Sequence, residues 1–283
     1  MNGELGHRAT DYGRRAVEAA RSVMAELCEM LGRFGDAAVL VGGWFPELSF
    51  PAAQPGHVGS LDVDVLLDPD RLPPAKVEEL SRILKAHGYR RTEPPFKFVK
   101  TMSSAGGEPV AVEVDFLIPA GAPLGPLARR GGAIRAAQAT GGTLALHSTH
   151  SVVLEGRTPD GRPARVAVTL PGVGAWLVMK AHALASRGKE KDAYDIAFCL
   201  RNMPGATAAV AKELAPHKGE PEVHQALESL RARFRFPGDF GPQAFARFVD
   251  PADPDERAFL ARDAFERVQA LLRALGLAED GIG

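Results

Sequence analysis

The sequence predicts an α+β protein: a domain of strands and helices over residues 1–170, followed by a helical C-terminal domain over residues 171–283. Two observations carry this. Short apolar runs or period-two alternations at 37–41, 61–67 and 110–118 mark strands. Beyond Pro171 the apolar spacing changes to three or four, through Trp176, Leu177, Met179, Ala183, Ile196, Phe198 and Leu200. A length of 283 residues allows one large domain or two modest ones, so the change of period sets the boundary near Leu170.

In order along the chain, residues 11–34 place Val17, Ala20, Val23, Met24, Leu27 and Leu31 near helical spacing and predict a long amphipathic helix. Residues 37–41 follow as a strand stopped by Gly42 and Gly43, and 44–48 start a helix. A Pro/Gly-rich loop spans 50–59 ahead of the strand at 61–67. Residues 74–87 read as a helix with Val77, Leu80, Ile83 and Leu84 on one face, ended by Gly88. Strands at 96–101 and 110–118 are joined as a hairpin, and 119–142, rich in Gly, Ala, Pro and Arg, reads as an irregular loop. The stretches 144–154 and 165–169 are β-like, with a turn at Pro159, Asp160 and Gly161 between them.

Composition narrows the class. Apolar residues at 45% and charged residues at 24% describe a soluble globular chain, and no apolar run approaches the length of a membrane span. The N-terminus, with Glu4, Arg8 and Asp11, lacks a signal-peptide apolar region, so a cytoplasmic location and no membrane partner are expected. Cys28 and Cys199 fall in helices and read as small core residues. The eight histidines contain no HxxxH or HxH pair, which argues against a histidine-based metal site, and His147 and His150 are weak candidates. A formal net charge of -1 gives no pull toward nucleic acid, so no stable DNA binding is expected; Arg231, Arg233 and Arg235 form a local basic patch.

The chemistry lies in the carboxylates. On the strand at 61–67 side chains alternate, so Leu61, Val63 and Val65 face one way and Asp62 and Asp64 the other. The same rule at 110–118 buries Val110, Val112, Val114 and Phe116 and leaves Glu113 and Asp115 opposite. Clustered carboxylates repel unless a cation neutralises them, and hard oxygen ligands of this kind suit magnesium shared with substrate phosphates. Two such ions could clamp the attacking and leaving oxygens of a phosphoryl displacement. A DxD alone is also what a solvated strand face looks like.

Gly42-Gly43 after a strand, Asp62-Val63-Asp64 on the next and Asp115 on a later one, in that order, resemble the nucleotidyltransferase superfamily related to DNA polymerase beta. In the helical half, KAHALASR at 180–187 and KDAYDI at 191–196 resemble the closing motifs of AbiEii/AbiGii-type toxin nucleotidyltransferases. The resemblance spans roughly residues 39–200 and implies a mixed-sheet nucleotidyltransferase domain ahead of the helical one. It implies that Asp62, Asp64 and Asp115 hold two magnesium ions, with Asp115 helping to activate the incoming hydroxyl. Gly42 and Gly43 would let backbone approach the triphosphate of an NTP substrate. Lys180 would neutralise nucleotide phosphate, and Lys191, Asp192 and Asp195 would close the site.

For Asp192 the alternative is a helix start or plain ion pairs with Lys189 and Arg187. Trp44 stands where the superfamily often has Ser or Thr; Ser60 would supply a compensating hydroxyl or be an ordinary loop serine. Glu113 reads as a solvated neighbour or an orienting residue, and Trp176 as core. The AbiEii likeness implies a tRNA or protein hydroxyl as acceptor and a toxin restrained by an antitoxin. Gly-Gly-Trp, shared with aminoglycoside-modifying members, favours a small molecule. A non-catalytic nucleotide-binding regulator is the third reading.

Overall fold

The computed structural model of the protein describes residues 8–94, 96–104, 107–122, 134, 136–203 and 205–277. They form an α+β chain of two compact units. One comprises Gly13–Ser49 and Val58–Pro171; the other gathers the chain from Gly172 onward with two upstream segments, one ending at Tyr12 and one spanning Phe50–His57.

The first unit opens with α1 (Arg14–Leu31), which buries Ala20, Val23, Met24, Leu27 and Leu31 at helical spacing. It is shorter than expected at both ends, bounded by Gly13 and Gly32, and leads through 3-10 turns in which Gly35 takes φ 57°. β1 (Ala38–Val41) is buried at every position. One 3-10 turn, Gly42–Trp44, leads into α2 (Phe45–Ser49). β2 (Asp62–Leu67) and α3 (Pro74–Ala86) follow; Pro74 occupies the first turn of α3, where its missing N–H costs nothing, and Gly88 ends it at φ 77°.

Next come β3 (Arg90–Arg91), β4 (Lys97–Ser104) and β5 (Gly107–Pro119). The hairpin between β4 and β5 is present, although residues 105–106 lie outside those described. The sheet order is β1-β2-β5-β4-β3. The sheet is mixed: β2 and β5 run parallel while β1–β2, β4–β5 and β3–β4 are antiparallel. A parallel pair requires a crossover, supplied here by α3 with β3 and β4. Val63, Val65, Val112, Val114 and Phe116 are fully buried, and α1 packs against β2 and β5. Their neighbours in the alternation, Asp62, Asp64, Glu113 and Asp115, are only half-buried.

Two expectations are corrected in the following segment. Within 119–142, read as an irregular loop, β6 (Ala137–Ala139) pairs parallel to Leu117–Pro119. Three residues of Ala and Gln are too short to show a period; residues 123–133 and 135 of that segment lie outside those described. The β-like reading of 144–154 fails at its start, where α4 (Gly142–His147) is helical. Leu144, Ala145 and Leu146 are good helix formers, and Gly141 at φ 83° turns the chain into them. His147 therefore lies on a helix, and only His150 on a strand. β7 (Thr149–Arg157) and β8 (Pro163–Pro171) form an antiparallel pair on which α1 also packs. The turn between them bends at Gly161, φ 84°, whose N–H donates to Thr158 O at 2.8 Å.

The second unit is helical: α5 (Val173–Arg187), α6 (Glu190–Asn202), α7 (Ala206–Leu214), α8 (Pro221–Arg233), α9 (Phe240–Val249) and α10 (Pro254–Ala274). Trp176, Ile196, Phe234, Phe248 and Leu271 are fully buried within it, so Trp176 is core. Cys28 and Cys199 are buried free thiols on helices, and burial pushes the Cys28 thiol up to about 12. Among the described residues no helix is long and apolar enough to cross a membrane.

Candidate active site

Strand register assembles the acids of the first unit. Asp62 pairs with Glu113 and Asp64 with Asp115 across the parallel β2–β5 ladder, so all four carboxylates share one face of two adjacent strands. On the other side of β2, Val41 pairs with Asp64, which brings Gly42 beside that carboxylate. Gly42 has φ 72°, and a Cβ built there would overlap the Asp64 carboxylate, only 2.7 Å from Cγ. Only glycine accepts both the conformation and the approach.

Asp62 is held twice. The Ser60 hydroxyl donates to Asp62 Oδ1 at 2.6 Å, and the buried Trp44 indole Nε1 donates to the Asp62 carbonyl at 2.7 Å. Ser60 thus orients a carboxylate rather than behaving as a free loop serine. Trp44, standing where the sequence pattern suggests a phosphate-binding hydroxyl, acts instead as a backbone anchor. Gly43 is buried in the same turn.

The register also brings in Lys97. It is the β4 partner of Asp115, and its ammonium is bonded to Glu113, which therefore is not merely a solvated neighbour. Burial alone would lower the Lys97 pKa, but the Glu113 bond and the charges of Asp115, Glu113 and Asp62 raise it. Among the described residues no three His, Cys, Asp or Glu side chains stand gathered as a formed metal site. The donor set nevertheless fits a hard cation: Asp62, Asp64 and Asp115 present oxygen ligands from one face, beside a glycine that leaves no side chain in the way.

The helical unit holds a second group of charges. Asp192 and Asp195, three apart on α6, both reach Lys180 of α5, at 2.9 Å and 2.8 Å. Arg187 grips Asp192 through Nε at 2.7 Å and a second guanidinium nitrogen at 2.8 Å, and Lys191 pairs with Asp195. The Arg187 pairing considered from the sequence is therefore present, while the Lys189 carbonyl accepts from the Asp192 N–H at 3.1 Å. His57 Nε2 lies 2.9 Å from Asp195 Oδ1, its ring against Tyr194 and Phe198 at centroid distances of 5.1 Å and 4.8 Å. An ionised carboxylate only accepts, so Nε2 carries the proton.

Enclosure governs the electrostatics. Lys180 is 5% exposed and Asp195 0%. Burial opposes the Asp195 charge, yet Lys180, Lys191 and the His57 bond hold its carboxyl far below the usual range. Burial likewise opposes the Lys180 charge, and Asp192 and Asp195 keep it well above its ordinary value. Lys191 is lowered by burial, and His57 is lowered to about 4 by burial and the neighbouring Lys191. The Lys180 ammonium, expected to meet nucleotide phosphate, is bonded to acids of its own unit.

Lys97, His57 and the Trp44 indole bond were not singled out from the sequence. Lys97 adjoins the buried Phe98 and so lies on the opposite face of β4, but only the β4–β5 register sets it beside Asp115. No family model matches the chain, and no curated protein sequence does.

Proposed function

We propose that the chain is a magnesium-dependent nucleotidyltransferase that moves a nucleoside monophosphate from an NTP to a hydroxyl of RNA or protein, with pyrophosphate leaving, as a toxin held in check by an antitoxin. The observation that carries the transfer chemistry is the β2–β5 register, which sets Asp64 opposite Asp115 with Asp62 on the same face. The choice of acceptor and the antitoxin rest on the sequence motifs of the helical half.

Asp62, Asp64 and Asp115 would hold magnesium, which when bound neutralises the triphosphate and the charge developing on the transferring phosphoryl group. The chain's own residues do the rest. Ser60 and Trp44 fix Asp62 by side chain and by backbone. Gly42 carries no side chain to displace the Asp64 carboxylate, and its bare backbone can approach phosphate. The Asp115 carboxylate accepts the proton of the acceptor hydroxyl as it attacks the α-phosphorus.

The test is magnesium-dependent incorporation of label from each α-labelled NTP into total tRNA, protein and an aminoglycoside panel. Asp64→Asn and Asp115→Asn should remain folded, with unchanged or higher Tm because apo carboxylates repel, while incorporation falls by orders of magnitude. Equal incorporation by parent and variants would remove the carboxylate mechanism. Labelling of aminoglycosides alone would replace the acceptor, and none by the parent with any acceptor would leave a nucleotide-binding regulator.

A further inference from the structure

We propose that Lys97 is a built-in counter-ion of the carboxylate face, paired with Glu113 while no metal is bound and turned toward the triphosphate once metal is in place. It thereby sets both how tightly the face takes a divalent cation and how well it takes NTP. The inference rests on the nucleotidyltransferase reading of that face.

Directly paired residues of an antiparallel ladder share a face, so the Lys97–Asp115 pairing puts the lysine among the acids. Its ammonium has chosen Glu113, itself the β5 partner of Asp62. One lysine thus faces acids from both strands. Lys97 and Glu113 retain side-chain exposures of 21% and 34%, enclosed enough for the pair to matter and open enough for it to part. Among the described residues the four carboxylates lie on two adjacent strands around this ammonium, while Arg90, the β3 partner of Val99 on the same face, bonds the Thr101 hydroxyl instead; this acidic stretch of the face draws a divalent cation in. A cation entering beside Asp115 repels the ammonium and weakens its hold on Glu113. A flexible four-carbon stem carrying a point charge can swing to a phosphate oxygen, where a rigid fork is not required.

The opposed effects on metal and nucleotide separate this role from a structural one. Manganese alone, titrated onto the full chain without nucleotide and followed by the paramagnetic resonance of the free ion, should bind Lys97→Gln about fivefold more tightly than the parent, the scale of one screened charge contact. Lys97→Arg should bind as the parent does. Glu113→Gln, which frees the ammonium to face Asp115, should bind manganese more weakly, and it reads the same competition if Lys97→Gln fails to fold. In transfer assays Lys97→Gln should raise KM for NTP at least about tenfold with little change in kcat. If Asp64→Asn binds manganese as well as the parent does, the metal site itself falls. If Asp64→Asn loses manganese while Lys97→Gln binds it no more tightly than the parent, the Lys97 proposal falls alone.

Discussion

At position 42 the backbone has φ 72° and the space where a Cβ would sit is filled by the Asp64 carboxylate, so alanine is opposed by conformation and by contact together. Gly42→Ala should cost about 1–3 kcal/mol of stability by urea unfolding and push Asp64 out of register with Asp115, abolishing transfer. A variant with parent stability and activity would show that the close approach has no functional role. His57 offers a second test at this scale. Its folded pKa, about 4 against an ordinary 6.5, means that between those values the unfolded chain binds a proton the folded chain does not. Stability attributable to this residue is therefore whole above pH 6.5 and declines as pH falls toward 4, by roughly 2 kcal/mol between pH 7 and 5. The buried aspartates, whose pKa values are depressed, add their own loss only below the usual carboxylate range. His57→Gln should flatten the pH 7 to 5 slope in chemical unfolding, and parallel slopes would refute the assignment.

At the scale of elements, what was legible and what was not divides by the range of the interaction. Alternation within β2 and β5 is local, so the outward direction of Asp62, Asp64, Glu113 and Asp115 could be read directly, as could α1 and α3 from their apolar stripes. Register between strands is not local. Nothing in residues 97–101 announces that Lys97 meets Asp115 rather than a residue two positions away, which would move the ammonium about 7 Å along the strand. β6 exists only because β5 offers an unpaired edge over Leu117–Pro119, a tertiary cause with no local signature. α4 is hidden for the opposite reason: Leu144 to Leu154 reads as one β-like stretch, while the chain changes conformation at Ser148. His57 sits in a Pro/Gly-rich loop whose composition hides its burial against α6.

At the scale of the molecule, the chain passes between the two units at Tyr12–Gly13, Ser49–Phe50, His57–Val58 and Pro171–Gly172, whereas the change of apolar period reveals only the last. Period reports secondary structure, and the segments ending at Tyr12 and spanning Phe50–His57 join the helical unit through side chains such as Tyr12, beside Lys191, and His57. The buried charges of α5 and α6 have an evolutionary consequence. Lys180, Asp192, Asp195 and Lys191 hold one another's charge in near-total enclosure, so loss of any one leaves another under-compensated. Lys180→Met and Asp192→Leu should each cost about 3–5 kcal/mol, but the double variant markedly less than their sum. A double-mutant cycle by urea unfolding that closes to within about 0.5 kcal/mol would contradict this. The fitness surface around the set is a ridge with steep sides: a lineage leaving it through single steps passes through unstable intermediates, so these positions should change together or stay as they are.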